Sequence, residues 1–190
     1  VLAPASPNEG ARLLRRWLES EGLASPSRAR LMEFSRQLQA AAADSQPALE
    51  LDGASLRRYR GQVYLVAKLD VLPVDALLTP EQSLNLPGLG CLSVEAVDGG
   101  LGLPDAGGWQ LRWRAGGERC QPLGRPHSQA LKQILQERGV PPWLRERLPL
   151  LYDGEALAAV ADLFICEGHQ AAPGEPGFRV CWQPLRRCAD

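Results

Sequence analysis

The stretch from residue 128 to residue 165 restricts the fold of this chain more than any other, because its junctions carry residues that suit particular backbone geometries. Its first helix is predicted from apolar residues at the spacing of one buried helical face: Leu131, Ile134 and Leu135. Ser128 is the predicted N-cap of this helix. Gly139 suits the left-handed conformation that follows a helix end, and Pro142 suits the first turn of a second, short helix.

A β-hairpin is predicted to follow these two helices. The apolar sequence LPLLY precedes Asp153 and Gly154, and the sequence EALAAVADLFI comes directly after them. An Asp-Gly pair between two apolar runs is typical of a tight hairpin turn. The stretch therefore predicts a compact α+β arrangement in which short helices close an antiparallel sheet.

The N-terminal part of the chain predicts a helical hairpin packed on a small β-meander. Residues 8–20 have one apolar face, as a surface helix does. Ser25 and Pro26 are the predicted N-cap and first-turn proline of a second helix. From residue 48 onward the apolar pattern has a period of two, with turns predicted at Gly53 and Gly61.

The remainder predicts a mostly antiparallel β-sheet or barrel with one or two short helices. Residues 72–108 are rich in proline, glycine and acidic residues, and we interpret them as a connector with one or two strands. In residues 109–114 apolar and polar side chains alternate, which places Arg112 and Arg114 on the outward face of a strand. The predicted domains are therefore 1–71, the connector 72–108, and 109–190.

Charge is distributed unevenly, although the formal net charge is only −1. Residues 71–110 hold five acidic residues and no lysine or arginine, whereas residues 111–147 hold eight basic and three acidic residues. The near-neutral total therefore conceals a basic block, which includes the predicted helices of the stretch described first. No apolar run approaches about 18 residues, so the sequence predicts no membrane span.

No group of residues in the sequence predicts catalysis. His127 precedes a helix and His169 lies in a predicted loop, and neither has a nucleophile signature nearby. The glycines around residue 88 match no phosphate-binding pattern. The five cysteines are widely spread without a CxxC pair, so we expect reduced thiols packed as small apolar groups. The sequence thus predicts no catalytic, cofactor-binding or metal-binding residues.

One set of motifs extends through most of the chain. The segment GVPPWLRERLPLLYDG is preceded by Gly124 and Arg125, followed by an apolar strand, and closed far downstream by residues 180–183. Upstream, SPSRARLMEFSRQL and LRRYRGQVYLV lie in the predicted helical hairpin and meander. Together these motifs closely resemble the substrate-binding middle domain and the C-terminal domain of bacterial tRNA(Ile)-lysidine synthetase.

The resemblance implies a role in tRNA modification. Members of that family use ATP with Mg²⁺ to activate C2 of the wobble cytidine in tRNA(Ile) with a CAU anticodon, and then attach lysine. By this likeness the middle domain holds the anticodon region and the C-terminal domain reaches the acceptor stem. The family's nucleotide loop, an SGGxDS-like motif, does not occur in the 190 residues. We therefore expect a cytoplasmic, non-catalytic tRNA-binding region whose partners are tRNA(Ile) and its own N-terminal catalytic domain, with a homodimer left open.

A tRNA-binding role asks for cations that contact RNA phosphates. In the second domain the candidates implied by the resemblance are Arg112, Arg114, Arg119, Arg125, Lys132, Arg145 and Arg147. In the first domain they are the arginines around Tyr59, because basic residues beside an aromatic ring can bind phosphate and stack a base: Arg57, Arg58 and Arg60. Two alternatives stay open. Arg145 can be a structural residue of the Pro-Pro turn, and strand arginines can simply keep a sheet edge soluble.

A second class of function also fits the sequence. In a stand-alone protein-interaction domain, the basic block would be a solvated face and the apolar turn at Trp143 would dock a partner. That hypothesis predicts no salt-sensitive affinity for tRNA. A small enzyme of unknown type fits less well, because no catalytic constellation is assembled.

Overall fold

The fold is that of a computed structural model, which describes residues 6–42, 45–69, 72–80, 82–98, 100 and 102–184. These residues form two compact units, which divide between residues 70 and 71. We call the described residues before this point the first unit and those from residue 72 to residue 184 the second unit. None of the helices among them has the length and apolarity needed to cross a membrane.

Two helices open the first unit: α1 (Pro7–Ser20) and α2 (Arg28–Ala40). The predicted pair of helices is confirmed, but the predicted start of the second helix at Ser25 and Pro26 is too early. Ser27 is the N-cap of α2, because its hydroxyl accepts a hydrogen bond from the backbone N–H of Arg30.

Three antiparallel strands complete the first unit: β1 (Ala48–Glu50), β2 (Ala54–Tyr59) and β3 (Gln62–Ala67). Gly53 and Gly61 have φ angles of 70° and 78°, the left-handed conformation that these tight turns require. One core cluster joins both helices to the sheet through residues such as Leu18, Phe34 and Leu56. The predicted helical hairpin on a β-meander is confirmed.

The second unit is built mainly from strands. Its elements are β4 (Ala76–Leu78), β5 (Ser83–Leu86), β6 (Gly90–Val97), β7 (Trp109–Arg112), β8 (Arg119–Cys120), β9 (Gln129–Ala130), α3 (Leu131–Glu137), α4 (Pro142–Arg145), β10 (Leu150–Asp153), β11 (Ala156–Val160), β12 (Phe164–Ile165) and β13 (Gly177–Pro184). One sheet has the order β12-β11-β10-β7-β4, another has the order β13-β6-β5, and β8 pairs with β9. All these pairs are antiparallel. The predicted α+β class is confirmed, with open sheets rather than a closed barrel among the described strands.

Residues 72–108 differ from the predicted connector. They contribute three strands where the sequence predicts one or two, and these strands pair into both larger sheets of the second unit. The edge strand β4 pairs with β7, and β6 pairs with both β5 and β13. Because β13 lies about 80 residues after β6, a local sequence pattern does not show this pairing. The domain limits at residues 71 and 108 stay predictions.

The stretch from residue 128 to residue 165 folds largely as predicted. The apolar face of α3 is buried, Gly139 ends the helix with a φ of 74°, and Gly154 forms the turn between β10 and β11 with a φ of 56°. The predicted N-cap at Ser128 is wrong. The residues after it, Gln129 and Ala130, form β9 and pair with β8. The helix α3 therefore begins only at Leu131, directly after β9, and has no side-chain cap.

Candidate nucleic-acid interface

Arg112 lies at the end of β7 and is paired with the hairpin between β10 and β11. Its Nη1 and Nη2 donate to the two carboxylate oxygens of Glu155 at 3.1 and 3.0 Å. The guanidinium carbon also lies 4.8 Å from the ring centroid of Tyr152. The hydrogen bond between the two side chains raises the pKa of Arg112 and lowers the pKa of Glu155. This pair leaves little net positive charge at the end of β7.

Arg114 does not face outward as the alternating pattern predicts. The strand ends at Arg112, and the chain then turns inward, so that Arg114 Nε lies 3.4 Å from Glu118 Oε2. The side chains of this pair are only 12% and 10% exposed. Glu118 also accepts hydrogen bonds from the backbone N–H groups of Ala115 and Gly116 at 2.6 and 2.7 Å. Arg114 therefore helps to hold a loop.

The carboxyl of Glu118 is held in its charged form by its surroundings. Burial raises its pKa, but hydrogen bonds from the N–H groups of Gly116, Glu118 itself and Ala115, together with the charge of Arg114, outweigh burial and lower the pKa below 4.5. The charged carboxylate of Glu118 therefore offsets the charge of Arg114. A role of Arg114 in RNA contact stays a prediction.

Three of the predicted cations lie on α3 or contact residues at its ends. Arg119 donates from Nη2 to the backbone oxygen of Ser128 at 3.1 Å, just before the helix. Lys132 is exposed in the first turn of α3. Arg125 Nη2 lies 3.7 Å from Oε2 of Glu137, a residue in the last turn of α3. Arg119 and Lys132 have no ion pair with any described residue, and the Arg125 pair is about half exposed, which makes it weak.

Arg138 belongs to the same region, although the sequence analysis did not select it. It follows the last residue of α3, donates from Nη1 to the backbone oxygen of Leu163 at 3.1 Å, and lies 4.8 Å from the ring centroid of Phe164. Neither contact cancels its charge, and the residue is exposed. The sequence could have indicated this residue, because Arg138 lies inside the basic block of residues 111–147. We call Arg119, Arg125, Lys132 and Arg138 the α3 surface.

Arg145 and Arg147 follow a different pattern. The Arg145 side chain is buried, with 8% exposed, and its Nε donates to the backbone oxygen of Val140 at 2.7 Å. This contact joins α4 to the turn that ends α3, which supports the structural alternative for Arg145. Arg147 is half-buried at the end of the same short segment.

The arginines of β2 in the first unit are also engaged. Arg57 contacts Ser55 and Glu50, with its Nη2 3.6 Å from the carboxylate of Glu50. Arg58 donates from Nη1 to the backbone oxygens of Ala42 and Ser45 at 2.7 and 3.0 Å. These contacts fix the chain ahead of β1.

Arg60 occupies the turn after β2, where its guanidinium lies 5.6 Å from the ring centroid of Tyr59.

The sequence analysis missed two further arginines of the first unit. Arg12 and Arg16 are exposed one turn apart on α1, without an ion pair to any described residue. Their spacing of four residues on the polar face of a predicted helix was a signal that the sequence carried.

Among the described residues, no group of three or more His, Cys, Asp and Glu side chains is arranged to hold a metal ion. The cysteines of the described part are free thiols, and two of them, Cys120 and Cys166, lie in the core that α3 covers. A hydrogen bond between these two side chains raises the pKa of Cys166. These thiols pack inside the second unit.

Two family models match the chain, and they define the class of protein. The model described as TilS substrate binding domain matches residues 1–64, and the model described as TilS substrate C-terminal domain matches residues 109–182. A crystal structure of a TilS C-terminal domain aligns with 60% of this chain and 99% of its own, with a TM-score of 0.43 and 18% identity.

Whole-chain relatives give the same result. A tRNA(Ile)-lysidine synthase of Coxiella burnetii is 35% identical over 189 residues, which cover 96% of this chain and 42% of that protein. The enzyme of the same name from Edwardsiella ictaluri is 36% identical over 184 residues, covering 95% of this chain and 42% of that protein. The chain belongs to the tRNA(Ile)-lysidine synthase family and contains its substrate-binding and C-terminal domains. It spans less than half the length of these curated relatives.

Proposed function

We propose that this chain is the tRNA-binding region of a tRNA(Ile)-lysidine synthase. The observation that carries the proposal is the pair of domain matches, one to a substrate-binding domain and one to a C-terminal domain, in a chain whose relatives are named tRNA(Ile)-lysidine synthase. The substrate named in those relatives is tRNA(Ile). A region that holds it needs cations whose charge is not already neutralised.

In this proposal the α3 surface of the second unit contacts the acceptor stem. Three of its members, Arg119, Lys132 and Arg138, keep an uncompensated charge among the described residues. A phosphate can replace the carboxylate partner of Arg125, because the ion pair with Glu137 is exposed and long. The four side chains sit on or beside a helix, which gives them fixed positions for backbone contacts.

The first unit contacts the anticodon region in the same proposal. Arg12 and Arg16 of α1 supply exposed positive charge there, in addition to the predicted arginines at the end of β2. In the same proposal, bond formation belongs to an N-terminal catalytic domain of the full-length protein, in the cytoplasm. There ATP with Mg²⁺ would adenylate the C2 oxygen of the wobble cytidine with release of pyrophosphate, and the side-chain amine of lysine would then displace AMP from C2. The 190 residues bind the RNA and position it.

The test is a salt titration of tRNA(Ile) binding to the 190-residue chain. If each of the four cations of the α3 surface neutralises one phosphate, this surface alone should contribute about −3.6 to the slope of log K against log salt, and contacts of the first unit should steepen it further. The double variant Arg119→Gln plus Lys132→Gln should make the slope shallower by about 1.8, because each cation accounts for about 0.9. Arg179→Gln is the matched control, since Arg179 is an exposed arginine of β13, a strand that pairs with β6 and carries no residue of the α3 surface.

A slope near zero for the wild-type chain would contradict RNA binding and favour the protein-interaction domain. If the slope is steep but the control variant lowers it as much as the double variant does, the α3 surface is not the contact. Circular dichroism of each variant shows whether the fold is retained, which surface substitutions are expected to leave intact.

A further inference from the structure

A groove of about 370 Å³ lies in the first unit between α2 and the outer edge of β1. Its floor is apolar, because Phe34 and Leu49 are buried beneath it in the core that joins the helices to the sheet. Its rim is polar: Arg30, Glu33 and Gln37 project from one face of α2, at positions that follow each other by three and four residues. The groove therefore combines an apolar surface with hydrogen-bonding groups along one side.

The opposite side of the groove offers a backbone donor and a backbone acceptor. In the β1–β2 ladder, residue 47 receives a hydrogen bond from Arg58 and Leu51 donates one to Ala54, so the even-numbered residues of β1 turn their N–H and C=O groups away from β2. Arg30 Nη2 already occupies the outward oxygen of Glu50, at 2.8 Å. The N–H and C=O of Ala48, which lines the groove, form the remaining outward pair.

The rim offers hydrogen-bonding groups that suit the edge of a base. The carboxylate of Glu33 is paired with Arg36 and accepts a hydrogen bond from Gln37 Nε2, so it leaves little net negative charge at the groove. The planar guanidinium of Arg30 can stack on an aromatic ring, and the amide oxygen of Gln37 remains able to accept a hydrogen bond. Bases that are free of pairing partners carry both donors and acceptors along one edge.

We propose that this groove binds one unpaired nucleobase of the tRNA, with the base edge hydrogen-bonded to the N–H and C=O of Ala48 and the ring over the apolar floor. The inference rests on the proposed function and adds a base-binding site to it. An extended peptide fits less well. A peptide added to a sheet edge needs several backbone pairs in succession. The three residues of β1 span only about 10 Å and leave one pair unused.

The test uses the 190-residue chain and an anticodon stem-loop RNA in which each unpaired base is replaced, one at a time, by an abasic site. At one position the abasic RNA should bind about ten-fold more weakly, since a stacked and hydrogen-bonded base contributes at least that much to affinity. Ala29→Trp fills the groove from the exposed side of α2, so this variant should bind the unmodified RNA about ten-fold more weakly. In that variant, removing the same base should not weaken RNA binding any further.

Ala40→Trp is the matched control, because Ala40 is also exposed on α2 but does not line the groove. It should keep the wild-type response to the abasic RNA.

A second measurement on the wild-type chain is independent of how the variants fold. The amide resonance of Ala48 should shift with the unmodified RNA and stay unshifted with the abasic RNA that binds weakly.

Two outcomes overturn the site without affecting RNA binding itself. Either every abasic RNA loses equally in the wild-type chain and in Ala29→Trp, or the Ala48 amide does not respond to an RNA that binds. A chain that binds no RNA at any salt concentration overturns the proposed function together with this inference. A groove that binds an extended peptide and ignores the RNA base also contradicts it.

Discussion

The end of β7 and the α3 surface are both basic in the sequence, but they differ in what the folded chain leaves exposed. At the end of β7, Arg112 and Arg114 are each paired with a glutamate. At the α3 surface, Arg119 binds a backbone oxygen and Lys132 has no ion pair with a described residue. The comparison shows that two parts of one basic block differ in how many of their cations are paired with carboxylates in the fold.

The two regions differ for a reason that local sequence does not reveal. Glu155 is 43 residues from Arg112 and reaches it because the β10–β11 hairpin pairs with β7. Glu118, in contrast, is only four residues from Arg114, and a loop closed on its own backbone N–H groups makes the pair. Neutralisation thus arises once through the sheet and once through a loop. Substitutions in these two pairs and at the α3 surface should therefore differ in their effects on stability and on RNA binding.

The largest effect is expected from Glu118→Gln. This substitution leaves Arg114, which is only 12% exposed, without its carboxylate, and should lower the free energy of unfolding by about 3 kcal/mol at pH 7. Because the folded state lowers the pKa of Glu118, its contribution is present above the ordinary value of 4.5 and is lost as the pH falls through the folded value. Urea unfolding at several pH values measures both effects.

The exposed Glu146 gives the matched control, since Glu146→Gln should change the stability by no more than about 0.5 kcal/mol. In Glu118→Gln, the stability should also depend less on pH below about 4.5 than in the wild-type chain. A Glu118→Gln protein as stable as the control would show that the pair in the loop contributes nothing. Arg114 would then again be a candidate for contact with RNA.

Arg145→Met is expected to have a smaller effect on stability and none on RNA binding. The substitution keeps the apolar stem but leaves the backbone oxygen of Val140 without its donor, which should cost about 2 kcal/mol. Lys132→Met is the comparison at the α3 surface. It should leave stability within about 0.5 kcal/mol and weaken tRNA binding. If Arg145→Met weakens tRNA binding while thermal unfolding is unchanged, Arg145 belongs to the RNA contact instead.

Much of the fold could be predicted because its signals are local. Gly139, Gly154 and Gly61 occupy left-handed positions that the sequence marked as a helix end and two turns. The strands at residues 76–78 and 83–86 could not be predicted, because short strands are defined by partners elsewhere in the sheet. Ser128 failed as a cap for the same reason. Its neighbours Gln129 and Ala130 pair with β8, and this pairing overrides the local preference.

The candidate site was predictable in position more than in detail. Counting charges located the basic block, and it does include the α3 surface. Counting could not show that Arg145 is buried or that Arg114 is enclosed with Glu118, because burial depends on how the chain packs. It also passed over Arg138, which follows α3 and whose aromatic partner Phe164 lies in β12. Sequence gives the number of charges, and folding decides which of them remain available.

The smallest and most specific effect is expected from Glu155→Gln. Removing this carboxylate leaves Arg112 charged and without an acidic partner, so the end of β7 should become similar to the α3 surface. The slope of log K for tRNA against log salt should then steepen by about 0.9, the contribution of one additional cation. Glu175→Gln removes the same charge from an exposed loop where no arginine of the described residues pairs with it, and it should leave the slope unchanged. Equal slopes for the two variants would mean that Arg112 stays out of reach of the RNA, and that neutralisation by Glu155 is not what distinguishes the two regions.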